Sequence, residues 1–132
     1  MVTLAVFIGI WTTTCIQTQI SGHRQGFAKE IYKIEKDGAF DFRREWYKTP
    51  ACTELEAVDE EAGTIELGKK LSGFFITGET FEANYSTQGG VDLGAISLVD
   101  KSTLKISRGM RNSTLRNTML SIFEYKKTSV AF

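Results

Sequence analysis

Residues 27–47 constrain the fold more than any other part of the chain, because only one hairpin register gives both faces a consistent chemistry. The segment turns at Lys36-Asp37-Gly38. A two-residue Asp-Gly loop would pair Glu35 with Phe40 and Lys33 with Phe42, mixing charges and rings on one face. A three-residue loop over positions 36–38, with Gly38 left-handed in a bulge, instead pairs Ile34 with Phe40 and Tyr32 with Phe42. It also sets Glu30 opposite Arg44 and Ala28 opposite Trp46, while the other face carries Lys33 opposite Asp41 and Lys29 opposite Glu45. A one-residue slip would move every side chain to the wrong face. Opposite charges across a pair are favourable, and glycine at the third loop position is the usual chemistry of such a turn. The pattern therefore predicts a hairpin with an inner surface of Ala28, Tyr32, Ile34, Phe40, Phe42 and Trp46, and one inward Glu30–Arg44 pair.

Glycine and Asn/Asp punctuation elsewhere separates short segments rich in β-branched and aromatic residues, which suits strands. The further strands predicted are 4–16, 63–67, 81–85, 91–99, 103–107 and 119–126. With the hairpin's two, that makes about eight, enough to close a barrel filled by side chains or holding one small ligand. The expected fold is all-β, an antiparallel barrel of about eight strands with little helix, in one domain over 1–132. Residues 53–61 are read as room for a turn of helix, and 110–117 as loop or short helix. No repeat or linker interrupts the chain.

Charge excludes several partners. Sixteen basic side chains balance sixteen acidic ones, and the clustered positive charge needed for nucleic acid or for an anionic membrane surface is missing. The apolar run 2–11 is shorter than the roughly 20 residues of a membrane span and lacks the basic start of a signal peptide. It reads as a first strand in a chain whose leader has been removed. A terminal Phe132 raises the question of an outer-membrane barrel, but the outward hairpin positions Lys29, Lys33, Asp41, Arg43 and Glu45 would be costly against lipid.

Catalytic and metal constellations are absent from the sequence. The single histidine, His23, sits in a polar turn with no second ligand or orienting acid. Asp59-Glu60-Glu61 lacks the alternating spacing of a calcium loop and reads as a solvated turn. No glycine-rich phosphate cradle is present. Asn84 and Asn112 open glycosylation sequons, which are common by chance. The expectation is a non-enzyme without metal or cofactor. Three features keep alternative readings. The Glu30–Arg44 pair is either a polar handle for a ligand head group or a structural cross-strand ion pair. Likewise, Tyr32, Phe40, Phe42 and Trp46 are either plain core or cavity wall. Cys15 and Cys52 are too far apart for a close zinc or redox motif, and read as two buried thiols or one disulfide.

A larger pattern adds to this. Gly9-Ile-Trp11 near the end of the first strand resembles the G-x-W signature of the lipocalin and calycin barrels. Gly9-x-Trp11-x₃-Cys15, the Asp37-Gly38 hairpin with Phe40 and Phe42, and Trp46-Tyr47-x₄-Cys52 together resemble small exported modules of bacterial proteins. The same modules form the ectodomain of the Wnt-antagonist membrane glycoproteins named for adenomatosis polyposis coli down-regulation. Gly63-Thr64-Ile65 matches their strand after the second cysteine, and Arg111-Asn-Ser-Thr-Leu115 matches their late Arg-x-Ser/Thr-Thr-Leu motif, with Asn112 where the family has proline.

The resemblance implies a Cys15–Cys52 disulfide, and hence a periplasmic or secreted location. It also implies an antiparallel barrel or half-barrel of lipocalin-like shape, its floor closed by Trp11 with Arg111 packed across the ring, and a cavity suited to lipid. On that reading the chain is a non-enzymatic extracytoplasmic binding protein for a fatty acid or another apolar small molecule. Tyr32, Phe40, Phe42 and Trp46 would line the site, and Glu30 and Arg44 would stand at its polar end. The alternative is a protein–protein interaction or adhesion module with a filled core.

Overall fold

The computed structural model describes residues 4–20, 24–72, 79–120 and 123–129; the turn at His23 and the tail at Phe132 lie outside them. The hairpin folds in the expected register. Strands β3 (Arg24–Ile34) and β4 (Ala39–Tyr47) pair Ile34 with Phe40, Tyr32 with Phe42, Glu30 with Arg44 and Ala28 with Trp46. Gly38 has a φ of +90°, and a Cβ there would stand 2.8 Å from the Ile65 carbonyl oxygen, so glycine is required twice over.

The remaining strands are β1 (Gly9–Thr12), β2 (Ile16–Ile20), β5 (Leu55–Leu71), β6 (Glu79–Thr87), β7 (Gly90–Asp100), β8 (Thr103–Ser107) and β9 (Tyr125–Thr128). Pairing runs β1-β9-β8-β7-β6-β5-β4-β3, and β3 returns to β1, which closes an antiparallel barrel of eight strands. Successive segments β1 and β2 pair with opposite ends of β3.

Three sequence expectations need correction here. The segment 4–16 is not one strand. It begins as a 3-10 turn, Leu4–Phe7, and the sheet then breaks at residues 13–15 between β1 and β2. The expected helical turn over 53–61, with its solvated acidic turn at Asp59-Glu60-Glu61, is instead the first half of β5. Exposure of all six residues 55–60 removes the alternation that would have marked a strand. The last strand runs over Tyr125–Thr128 rather than 119–126.

The barrel interior is filled from its closed end. Phe7 and Trp11 are fully buried, the Trp11 indole donates to the Phe7 carbonyl at 2.9 Å, and Phe7 meets Phe81 edge to face. Above them lie Ile34, Ile65, Phe40, Tyr85, Ile96, Leu104 and Ile106 in one continuous cluster. Gly63 lies opposite Phe40, and a Cβ there would collide with the Ser86 carbonyl, 2.0 Å away. A smaller cluster of Ile16, Ala28 and Trp46, with Phe123 against it, sits beyond the other end of the barrel. Next to it a disulfide joins Cys15 to Cys52, tying the break between β1 and β2 to the turn after β4. Among the described residues no helix is long and apolar enough to cross a membrane. A disulfide is compatible with an oxidising, extracytoplasmic compartment.

Candidate functional site

The end of the barrel opposite Trp11 is open. A cavity of about 500 Å³ there is walled by Glu30 and Tyr32 of β3, Phe42 and Arg44 of β4, and Asp59, Glu60 and Glu61 of β5. Asp92, Ile106, Arg108, Arg111 and Tyr125 complete it from the far side. Alternation along each strand explains the set apart from Glu60, which lies on the outer face beside Arg43 and borders the cavity only at its edge. The residues one step deeper on the same faces are the apolar core, so the mouth is where inward-facing positions turn polar.

Two linked ion-pair groups shape the rim. Arg44 holds Glu30 at 2.7 Å, and the Tyr125 hydroxyl donates to the other Glu30 oxygen. The Arg44 guanidinium lies between the rings of Phe42 and Trp46, 5.4 and 5.6 Å from their centroids. Across the mouth, Arg108 donates to Asp92 at 2.5 Å and 3.0 Å, to Glu61 at 2.8 Å and to the Tyr32 hydroxyl at 3.3 Å. Its guanidinium also faces the Tyr85 and Phe40 rings. Arg111 reaches the second Glu61 oxygen at 2.7 Å. Burial alone would raise the Glu61 pKa, but the hydrogen bonds from Arg111 and Arg108 outweigh it and hold the carboxylate below its ordinary range.

Of the residues expected from the sequence, Glu30, Arg44, Tyr32 and Phe42 are brought together in this wall. Phe40 lies one layer down, 2 % exposed, inside the core rather than on the cavity surface. Trp46 backs the wall from the smaller cluster, where its indole donates to Asp59 at 2.8 Å. Trp11 is fully buried with its indole on the Phe7 carbonyl, and Arg111 does not pack on it. Lys127 stands over that ring, 5.5 Å from the centroid, whereas Arg111 is held at the mouth by Glu61 and Asp92. The physical reason is that Arg111 follows β8 at its mouth end, where the Glu61 and Asp92 carboxylates hold it.

Arg108, Asp92 and Tyr125 were not singled out by sequence, and Glu61 was read only as part of a solvated turn. A signal existed for Arg108 and Glu61: residues 54–61 carry five carboxylates, and 101–123 carry five cations with no acid. Two such runs meet across the mouth.

Burial pushes the Tyr32 phenol up to about 12, and does the same to Tyr85 and Tyr125 more strongly. A phenol in the unfolded chain ionises near 10. A raised native pKa stabilises the fold fully below pH ~10, and that stability is lost as the pH rises through the native values. Alkaline titration should therefore release these three phenolates together with a cooperative loss of near-ultraviolet circular dichroism. Gradual ionisation of all four tyrosines near pH ~10 in a still-folded protein would contradict their burial.

Comparison of the chain with protein-family models, with curated proteins and with solved structures gave no match.

Proposed function

We propose that this protein is a non-enzymatic, extracytoplasmic binding protein that takes a compact, lipid-like zwitterion at the barrel mouth. The observation that carries the reading is the open cavity of about 500 Å³, floored by Tyr32, Phe42, Ile106 and Tyr125 and rimmed by charges of both signs. Its size falls within the roughly 300–1,000 Å³ common for small-molecule sites. The apolar part of the ligand lies on the rings, since the filled core beneath leaves no channel for a long chain down the axis. A zwitterion matches the rim better than a bare fatty acid does. The wall presents five carboxylates against three guanidiniums, so a lone carboxylate head meets net repulsion. The anionic part of the head faces Arg44 and Arg111, and the cationic part faces Asp59. Mutual neutralisation of the rim groups supports binding rather than proton transfer.

Submicellar decylphosphocholine, followed by tryptophan fluorescence, tests this, because Trp46 stacks on Arg44. Saturable binding is expected, tighter than for decanoate or decyltrimethylammonium. Arg44→Gln should weaken it about tenfold, the worth of one hydrogen bond to a charged group. No saturable response to any of the three, with no apolar compound seen by native mass spectrometry of the purified protein, would overturn the reading. A second reading, an interaction or adhesion module, is favoured by one observation: Met110, Leu115 and Met119 on the loop after β8 are 82, 78 and 82 % exposed.

A further inference from the structure

Strand β5 outruns its neighbour. From Gly63 onward it pairs with β6, whereas residues 55–62 pair with β4 and, among the described residues, with no strand on their other side. Residues 55–60 are all exposed, including Leu55 at 55 % and Val58 at 41 %. Strand β7 has the same problem and solves it. Its first half extends past β8, and the loop after β8 covers that edge, with the Asn112 and Asn117 amides donating to the Val91 and Leu93 carbonyls and Asp92 bridged to Arg111. Among the described residues, the chain thus covers one overhanging edge with its own backbone and lays no strand along the other.

An exposed edge is a row of backbone donors and acceptors ready to template another strand. What it accepts is set here by charge. Glu54, Glu56, Asp59, Glu60 and Glu61 cluster on or beside the edge, and no lysine or arginine occurs between Lys48 and Lys69. Two copies of this edge brought together would set carboxylates against carboxylates, which disfavours self-pairing. A cationic strand would be drawn to it.

We propose that residues 55–61 of β5 dock an extended, lysine- or arginine-rich segment of a partner protein by strand addition. Main-chain hydrogen bonds supply affinity, and alternate side chains supply specificity. One face of the added strand passes beside Asp59 and Glu61 at the cavity mouth, and the other lies beside Val58 and Glu60. The inference is independent of the ligand reading, since it needs only the backbone edge and its charge.

The test uses the full chain and a dye-labelled Lys-Val-Lys-Val-Lys-Val-Lys peptide, read by fluorescence anisotropy at low salt. Binding is expected, together with slowed hydrogen exchange confined to residues 55–61. The same peptide N-methylated at alternate residues keeps its charge but loses about three main-chain hydrogen bonds, so it should bind roughly tenfold or more weakly. Glu60→Lys should weaken the unmodified peptide, and a Glu-Val repeat should not bind. Equal binding of the N-methylated peptide would reduce the effect to charge attraction and overturn the proposal. So would absence of binding, or protection mapped elsewhere. Protection of 55–61 in peptide-free protein that grows with protein concentration would assign the edge to a second copy, and would also overturn it.

Discussion

Replacing Arg108 with methionine is expected to lower the unfolding free energy by about 3–5 kcal/mol, read as a fall in the urea midpoint at unchanged slope. The size follows from what is left behind. Arg108 is the shared donor for Asp92, Glu61 and Tyr32, and Asp92 is only 6 % exposed. Without the guanidinium, Arg111 remains as a cation near Asp92, with its Nε at 3.6 Å. Orphaning one member of a buried pair is costly, while exchanging both for apolar groups is often close to neutral. Arg108→Met combined with Asp92→Leu is therefore expected to recover much of the loss. Arg108→Lys keeps the charge but not the planar fork that spans three acceptors, so it should fall between. A single-variant cost below about 1 kcal/mol would mean that the mouth does not depend on this hub.

That hub shows where sequence reasoning reaches its limit. The hairpin was legible because both of its faces carry information: rings and an ion pair inside, complementary charges outside. Every pair from Ala28–Trp46 to Ile34–Phe40 follows from that alternation. The first half of β5 carries no such alternation. As an exposed edge it is acidic on both faces, and nothing local separates it from a solvated turn. Of its inward carboxylates, Asp59 is held by Trp46, 13 residues away, but Glu61 is satisfied from 47 and 50 residues away, by Arg108 and Arg111. Pairing over that distance is decided by barrel closure, not by neighbouring sequence. The break after β1 is similarly invisible in composition, because β1 and β2 serve the same strand, β3, at its two ends. Within the site, Glu30, Arg44, Tyr32 and Phe42 could be placed because one hairpin holds all four. Phe40 and Trp46 share their face but not their height, and height in a barrel depends on strand tilt and on what caps each end.

Removal of the disulfide, by the double variant Cys15→Ser/Cys52→Ser, is expected to cost about 4 kcal/mol, the chain-entropy value for a loop closed over a separation of 37. Where the loss is felt follows from the topology. The bridge lies at the break between β1 and β2, and its partner lies in the turn that carries the chain from β4 into β5. Beside it is the small cluster of Ile16, Ala28 and Trp46, too few side chains to hold that end of the sheet unaided. The eight-stranded ring does not depend on the bridge, because β1 is fixed independently by β3 and β9. The double variant should therefore keep the barrel, with hydrogen exchange accelerating first in β2 and residues 48–54. Because the Trp46 indole holds Asp59, and its ring stacks on Arg44, the cavity wall should loosen with that cluster while the Trp11 floor stays fixed. A urea midpoint within error of the oxidised protein's, or a loss of exchange protection uniform over all strands, would show that the bridge does not clamp this end of the sheet.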